Sequence, residues 1–218
     1  MLSLLLASFV TFFVVIDPPG VAPMFATMTH DMDAQWRRKM AWKSVTVATA
    51  VLLGFAFGGA WLLRNLGVSL DAFRIAGGML LFLIAVDMLF EKRTERREER
   101  AEQVAAEQAT HPGVYDDISV FPLAIPLISG PGAIASVMLY FTQNEDWTHR
   151  AMVLAGAGAN LALCLIAFLL AGPLTRLMGA TVAAMLTRIF GILLAALAAQ
   201  FVVDGIRNAF GILTATPA

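Results

Sequence analysis

The sequence is poor in charged residues. Only 14% of its 218 residues are Asp, Glu, Lys or Arg, whereas 59% are hydrophobic. Soluble domains contain roughly 25% charged residues. The polar surface is too small to cover a soluble globule, so the composition predicts an integral membrane protein in a lipid bilayer. The formal net charge of -1 at pH 7 leaves no basic excess, and we expect no nucleic-acid partner.

Cysteine and histidine are also scarce. Cys164 is the single cysteine, lies in an apolar run and cannot form an internal disulfide. The histidines at 30, 111 and 149 lie far apart in loops and lack metal-ligand spacing. The motifs of zinc peptidases, serine hydrolases and phosphate-binding loops are absent. We therefore expect no enzymatic activity, no cofactor and no structural metal.

Long apolar runs make up most of the chain. A membrane-spanning helix needs ~20 predominantly apolar residues. Runs of this kind cover residues 2–28, 41–63, 68–90, 118–141, 151–171 and 182–206. The chain thus divides into residues 1–90 and 118–210 of a single membrane domain. Residues 91–117 form a charged loop in which Glu and Arg recur at helical spacing, and we expect a solvated helix there.

The Lys and Arg residues are concentrated in the loops after the first, third and fifth spans. Short loops rich in Lys and Arg stay in the cytoplasm. The distribution therefore places the charged loop in the cytoplasm and predicts that both termini lie outside.

Proline and glycine interrupt two of the spans. The first contains Asp17-Pro18-Pro19-Gly20, and the fourth contains Ser129-Gly130-Pro131-Gly132. Neither motif continues a helix. Unpaired backbone in hydrocarbon costs several kcal/mol per group, so such a break persists only within protein or beside water. Matching breaks in two halves point to a transporter binding site.

The two halves share further motifs. Leu66-Gly67 recurs as Met178-Gly179, and Arg74-Ile75-x-Gly77 recurs as Arg188-Ile189-x-Gly191, at nearly the same offset as the breaks. Each half holds three spans, and an odd number inverts the second copy in the membrane. We therefore predict an all-α membrane fold of six transmembrane helices, arranged as two inverted three-helix repeats with helices 1 and 4 broken.

Asp17 has two compatible interpretations. An Asp before Pro is a strong N-cap signature, and the matching Ser129 is also a cap former. A carboxylate in a membrane interior is in addition a functional candidate, here for a coupling cation such as Na⁺ or a substrate ammonium. The N–H groups of the two half-helix N-termini suit a carboxylate. Both break motifs are therefore candidate substrate- and ion-binding sites.

Three polar residues inside the later spans are further candidates. Arg74 and Arg188 either extend to the interface, pair structurally, as Arg74 would with Asp71, or belong to the site. Gln200, the deepest of the three, either contacts substrate or bonds a neighbouring helix. We include all three among the candidate binding residues.

Taken together, several motifs resemble the MarC family of bacterial inner-membrane proteins. They are Asp17 to Pro23, Phe73 to Gly78, Pro122 to Leu127 with Gly130-Pro131-Gly132, and Thr187 to Gly191. The resemblance covers nearly the whole chain except the charged loop. It implies six spans in the bacterial inner membrane. It also implies a relation to ion-driven transporters of small neutral amino acids such as glycine and alanine.

From the residues alone, the prediction reaches a secondary transporter of a small polar solute. With the resemblance, we expect transport of a neutral amino acid coupled to Na⁺ or H⁺, with the solute and the cation as partners. The alternative is a channel or passive exporter of small metabolites with the same fold. A scaffold without a solute is a third hypothesis, which the small soluble portion disfavours.

Overall fold

The computed structural model describes residues 2–90, 92–109, 117–144 and 146–211, without the side chains of 92–94, 108–109 and 174–184. Every regular element in these ranges is a helix. The helices are α1 (Leu2–Ile16), α2 (Pro18–Met28), α3 (Ala34–Asn65), α4 (Leu70–Leu89), α5 (Lys92–Ala109), α6 (Pro131–Gln143), α7 (Trp147–Leu169) and α8 (Ala171–Ala209). A kinked helical stretch, Ser119–Ile128, precedes α6 and is called the proline segment.

The predicted all-helical membrane fold is confirmed. Five helical stretches of the described chain are long and apolar enough to cross a membrane, and the proline segment with α6 makes a sixth if counted as one span. The inverted repeat remains a prediction. The second span begins earlier than expected, at Ala34, because the Asp33 carboxylate caps the helix by accepting from the Trp36 N–H.

The break in the first span is a single residue. Asp17 adopts the left-handed conformation, with φ of 59°, and separates α1 from α2. Pro18 and Pro19 are then the first residues of α2, where a missing N–H costs no helical hydrogen bond. The interruption is therefore narrower than the motif predicts, and residues 2–28 remain long enough to act as one span.

The fourth span is bent by 57° between the proline segment and α6. The Ser129 hydroxyl donates to the Ala124 carbonyl at 2.8 Å and closes the preceding turn. Gly130 is the N-cap residue of α6 and makes no side-chain cap. The expectation that Ser129 caps this half-helix is wrong, because its side chain bonds backward rather than forward.

The helices pack in pairs that join the two halves. α4 lies along α8, α1 lies against α7, and α3 lies against both the proline segment and α6. Glycines bring α4 and α8 together: a Cβ at Gly78 would lie 2.9 Å from the Ala198 carbonyl oxygen, and one at Gly191 would lie 3.1 Å from that of Ala85. Such close backbone contact is typical of membrane helices.

The outer surface is apolar. Large hydrophobic side chains are exposed along α3, α4 and α8, among them Trp42 and Trp61 on α3 and Leu83 on α4. An aqueous surface rarely carries so many. They form the lipid-facing surface of the bundle, and the core lies between α1, α2, α6 and α7 around Phe12 and Phe25.

Candidate functional site

The charged helix α5 folds back onto the bundle, against α2 and α4. Arg97, Ala101 and Val104 recur at i, i+4 and i+7, so they share one helix face. Ala101 is fully buried, Val104 packs against the core, and the acidic residues at 98, 99 and 102 are exposed. The predicted helix is confirmed, but the prediction that it is solvated holds for only one of its faces.

Arg97 forms a buried ion pair with Asp17. Its Nη1 donates to Asp17 Oδ2 at 3.0 Å, and the two side chains are 12% and 4% exposed. Asp17 Oδ1 accepts from the Gly20 N–H at 3.1 Å. The Asp17 carboxylate therefore caps α2 and also binds the Arg97 guanidinium of α5. Burial lowers the pKa of Arg97 and the Asp17 carboxylate opposes that shift, so the guanidinium remains charged.

A cavity of about 520 Å³ lies between α4, α5 and the start of α6. Small-molecule sites typically have volumes of roughly 300–1,000 Å³. The lining residues are Val15, Leu80, Ile84, Asp87, Arg96, Arg97, Glu99, Arg100, Gln103, Pro126, Leu127, Gly130, Pro131, Gly132 and Ala133. The broken fourth span thus forms one wall, and the charged helix forms another.

The wall at the fourth span contains the start of a helix without a side-chain cap. The N–H groups of Gly132 and Ala133 are at the first turn of α6, where no carbonyl precedes them within the helix. A Cβ at Gly132 would lie 2.7 Å from Ile84 Cδ1 and 2.9 Å from Val15 Cγ1, so a larger residue would have to displace these two side chains. Val15 comes two residues before Asp17, and the two breaks are therefore close neighbours.

The wall at α5 carries charges of both signs. Arg96 pairs with Asp87, and the Arg100 guanidinium lies 5.6 Å from the centre of the Phe121 ring. Glu99 adds a further negative charge to this wall. Backbone donors on one side and mixed charges on the other suit a small solute that is itself both positive and negative.

Asp17 contacts the cavity through Arg97. Arg97 is among the lining residues, whereas Asp17 lies behind it and is 3% exposed. The neighbouring Pro18, Pro19 and Gly20 form the start of α2 beside this carboxylate. In this structure the positive charge nearest to Asp17 therefore belongs to the protein.

The other sequence-predicted candidates lie away from this cavity. Arg74 Nη1 donates to Asp71 Oδ1 at 3.0 Å, which is the structural pairing considered above. Arg188 and Gln200 are exposed on α8, and Gln200 donates to Asp204 at 2.8 Å. The sequence placed Gln200 deep along the helix axis, but its side chain faces outward, so the structure does not bring it to the breaks.

Sequence reasoning missed two residues. Arg97 was hidden in a run of mixed charge, although its spacing with Ala101 and Val104 marks a buried face. Asn160 of α7 is fully buried and donates to the carbonyls of Phe9 at 2.9 Å and Gly156 at 2.8 Å. An amide in the middle of an apolar span was the available signal, since buried polar groups need partners.

No group of His, Cys, Asp and Glu suited to a metal ion occurs within the described ranges. The polar groups that line the cavity are arginines, carboxylates, the Gln103 amide and backbone N–H groups.

The fold and the apolar surface define a multi-pass integral membrane protein. A model of the MarC family of integral membrane proteins matches residues 2–210, and the chain belongs to this family.

Relatives occur in archaea and bacteria. A UPF0056 membrane protein of Archaeoglobus fulgidus is 35% identical, over 95% of this chain and 94% of its own. The UPF0056 membrane protein YvbG of Bacillus subtilis is 30% identical, over 98% and 99%. YhcE of Escherichia coli is 34% identical, over 93% and 91%. These names state no substrate, and no solved structure matches the chain.

Proposed function

We propose that this MarC protein is a secondary transporter of a small zwitterionic solute, a neutral amino acid such as glycine or alanine, driven by Na⁺ or H⁺. The cavity at the bent fourth span is the observation that supports this proposal most directly. Irregular backbone within a membrane bundle is tolerated where it lines a cavity, and transporters place their sites at such breaks.

The chemistry of the walls suits an amino acid. The solute carboxylate would accept from the N–H groups of Gly132 and Ala133, where the helix dipole also favours negative charge. The ammonium would face Asp87, Glu99 or, after rearrangement, Asp17.

The helix pairs support alternating access by two related halves. If spans 1, 2 and 3 are exchanged with spans 4, 5 and 6, the contact between α1 and α7 corresponds to the contact between the bent fourth span and α3. The contact between α4 and α8 corresponds to itself. An inverted repeat requires this pattern. The two halves would then move against each other around the cavity.

The proposed location is the bacterial inner membrane with both termini outside, so that α5 closes the cavity from the cytoplasmic side. A C-terminal reporter that is active only in the cytoplasm should remain silent. Activity of that reporter would reverse the orientation and place α5 on the outer side.

Uptake into proteoliposomes tests the function. Purified protein should accumulate labelled glycine or alanine against its gradient when an inward Na⁺ or H⁺ gradient is imposed. Gly132→Val, which fills the contact with Ile84 and Val15, should abolish accumulation, and Gly54→Ala is the matched control because a Cβ there meets no atom within 4 Å. Equilibration without accumulation would indicate a channel, and no flux for any small amino acid would refute the proposal.

A further inference from the structure

The ion pair between α5 and the first break exceeds what the local structure requires. Capping of α2 needs only one oxygen to accept from the Gly20 N–H, and an uncharged Asn side chain serves equally well at an N-cap. A buried ion pair is commonly no more stabilising than apolar side chains of the same volume, because both charges lose their hydration. The charges of Asp17 and Arg97 therefore call for a function.

The position of Arg97 suggests that function. Arg97 lines the cavity, and its guanidinium holds the buried Asp17 carboxylate. A cation in the cavity can reach Asp17 only if Arg97 leaves it. Arg97 belongs to α5, an 18-residue helix that contacts the bundle along one face and is exposed on the opposite face. Such a peripheral helix can shift without unfolding the bundle.

We propose that Arg97 is a tethered counter-ion of Asp17, which the cationic group of the solute or the coupling cation displaces during transport. The occupied pair keeps the cavity closed at α5, and displacement releases the helix. Arg97 thereby makes Asp17 selective for cations that can replace a guanidinium. This inference rests on the proposed function, because it assigns the order of events at the same site.

The chain contains its own reporter for this displacement. Cys164 is the single cysteine, is fully buried, and belongs to α7, which packs against α2, the helix that Asp17 caps. Release of α5 should expose this thiol to water. The rate at which a small maleimide modifies Cys164 in the full-length protein therefore measures how often the pair opens.

The first experiment needs no variant. Methylammonium chloride, compared with choline chloride at equal ionic strength, should accelerate the modification of Cys164 in the wild-type protein on the order of tenfold, because the small ammonium competes for Asp17. The acceleration should vanish in Asp17→Asn, which keeps the cap and tolerates the left-handed conformation but carries no charge. Equal rates in both salts would overturn the proposal.

The second experiment removes the tether. In Arg97→Gln, the maleimide should modify Cys164 on the order of tenfold faster than in the wild type, without any added cation. Arg97→Lys should restore most of the protection because it keeps a charge. Glu98→Gln, an exposed change on the same helix, should match the wild type. Wild-type protection in Arg97→Gln would overturn the proposal, because Arg97 would then not hold α5 in place.

Failure of the two proposals is distinguishable. Modification of Cys164 requires no transport, so an effect of methylammonium in a protein that accumulates no amino acid would refute the proposed function and leave the displacement standing. Accumulation of glycine with no effect of methylammonium or of Arg97→Gln would do the reverse.

Discussion

The two breaks begin from similar sequences and end in different structures. At the first, one left-handed Asp separates two helices, its carboxylate caps the second helix, and Arg97 neutralises it. At the second, Ser129 and Gly130 separate elements bent by 57°, no side chain caps α6, and the first turn lines the cavity. One break is sealed by side chains, and the other remains open.

The residue before proline accounts for this difference. Asp17 accepts from an N–H three residues later and satisfies the start of α2 internally. Gly130 offers no acceptor side chain, so the donors of α6 remain available. A proline-glycine motif therefore marks an interruption, while the residue before the proline decides whether the N–H groups at that interruption remain available to a ligand.

Substitutions at the two breaks should differ strongly in their effect on the free energy of unfolding. Asp17→Ala should lower the free energy of unfolding by about 3–5 kcal/mol because Arg97 is left buried and unpaired, with about 1 kcal/mol more from the lost cap. Ser129→Ala, which loses one hydrogen bond to Ala124, should cost about 1 kcal/mol. Thermal unfolding in detergent measures both. Equal losses would contradict the distinction between a sealed and an open break.

A double variant tests whether the seal depends on charge. Arg97→Met alone should cost about 3–5 kcal/mol because the buried Asp17 carboxylate loses its ion pair with Arg97. Arg97→Met combined with Asp17→Asn should be more stable than Arg97→Met alone, since the two positions act as one unit. The same unfolding assay applies, and strict additivity of the two single changes would show that the pair contributes no coupling.

A glycine pair probes the open break. Gly132→Ala should destabilise the protein by about 1–3 kcal/mol, because the added methyl group overlaps Ile84 and Val15. Gly54→Ala, in the middle of α3 with open space around it, should instead stabilise the protein by about 0.5–1 kcal/mol. A neutral Gly132→Ala would mean that α6 can move away from α1 without cost.

The smallest effect concerns the start of the proline segment. Lys43 and Ser119 donate to Asp117 and lower its pKa from 3.8 to about 2. A carboxyl with a depressed pKa stabilises the folded state above pH 3.8, and this contribution is lost as the pH falls through about 2. The pair is half exposed, so the loss should stay below about 1 kcal/mol.

Asp117→Asn is the variant for this measurement. Its unfolding temperature should fall less than that of the wild type on acidification across that window, and identical pH profiles would show that Asp117 does not anchor the segment.

The helices were predictable from the sequence because hydrophobic run length determines a span. The positions of both breaks followed from proline and glycine chemistry. The rotation of each helix did not follow, since hydropathy gives depth along the axis but not the face. Gln200 therefore lies in the middle of a predicted span, but its side chain is exposed on the outer face of α8. The N-cap residue of α6 is Gly130, one residue after the expected Ser129. An alignment of the two halves does not resolve a difference of one residue.

The partner of Arg97 was beyond sequence reasoning for a different reason. The spacing of Arg97 with Ala101 and Val104 indicates a buried face, but a run of Glu and Arg satisfies itself in water and indicates no partner elsewhere in the chain. Its partner lies 80 positions earlier in the chain. Only the arrangement of α2 and α4 creates the surface on which α5 docks.

The exposed tryptophans of α3 indicate where the boundaries of the bilayer lie along this helix. Trp42 and Trp61 are roughly 28 Å apart along the helix axis, close to the ~30 Å thickness of the hydrocarbon layer, and tryptophan prefers both boundaries of that layer. Lys43, and with it Asp117, then lies at headgroup level. The proline segment starts there and leads through ten residues to the bend before α6. The bend then lies between the two headgroup layers, where a carrier of the proposed kind would expose its cargo to either side in turn.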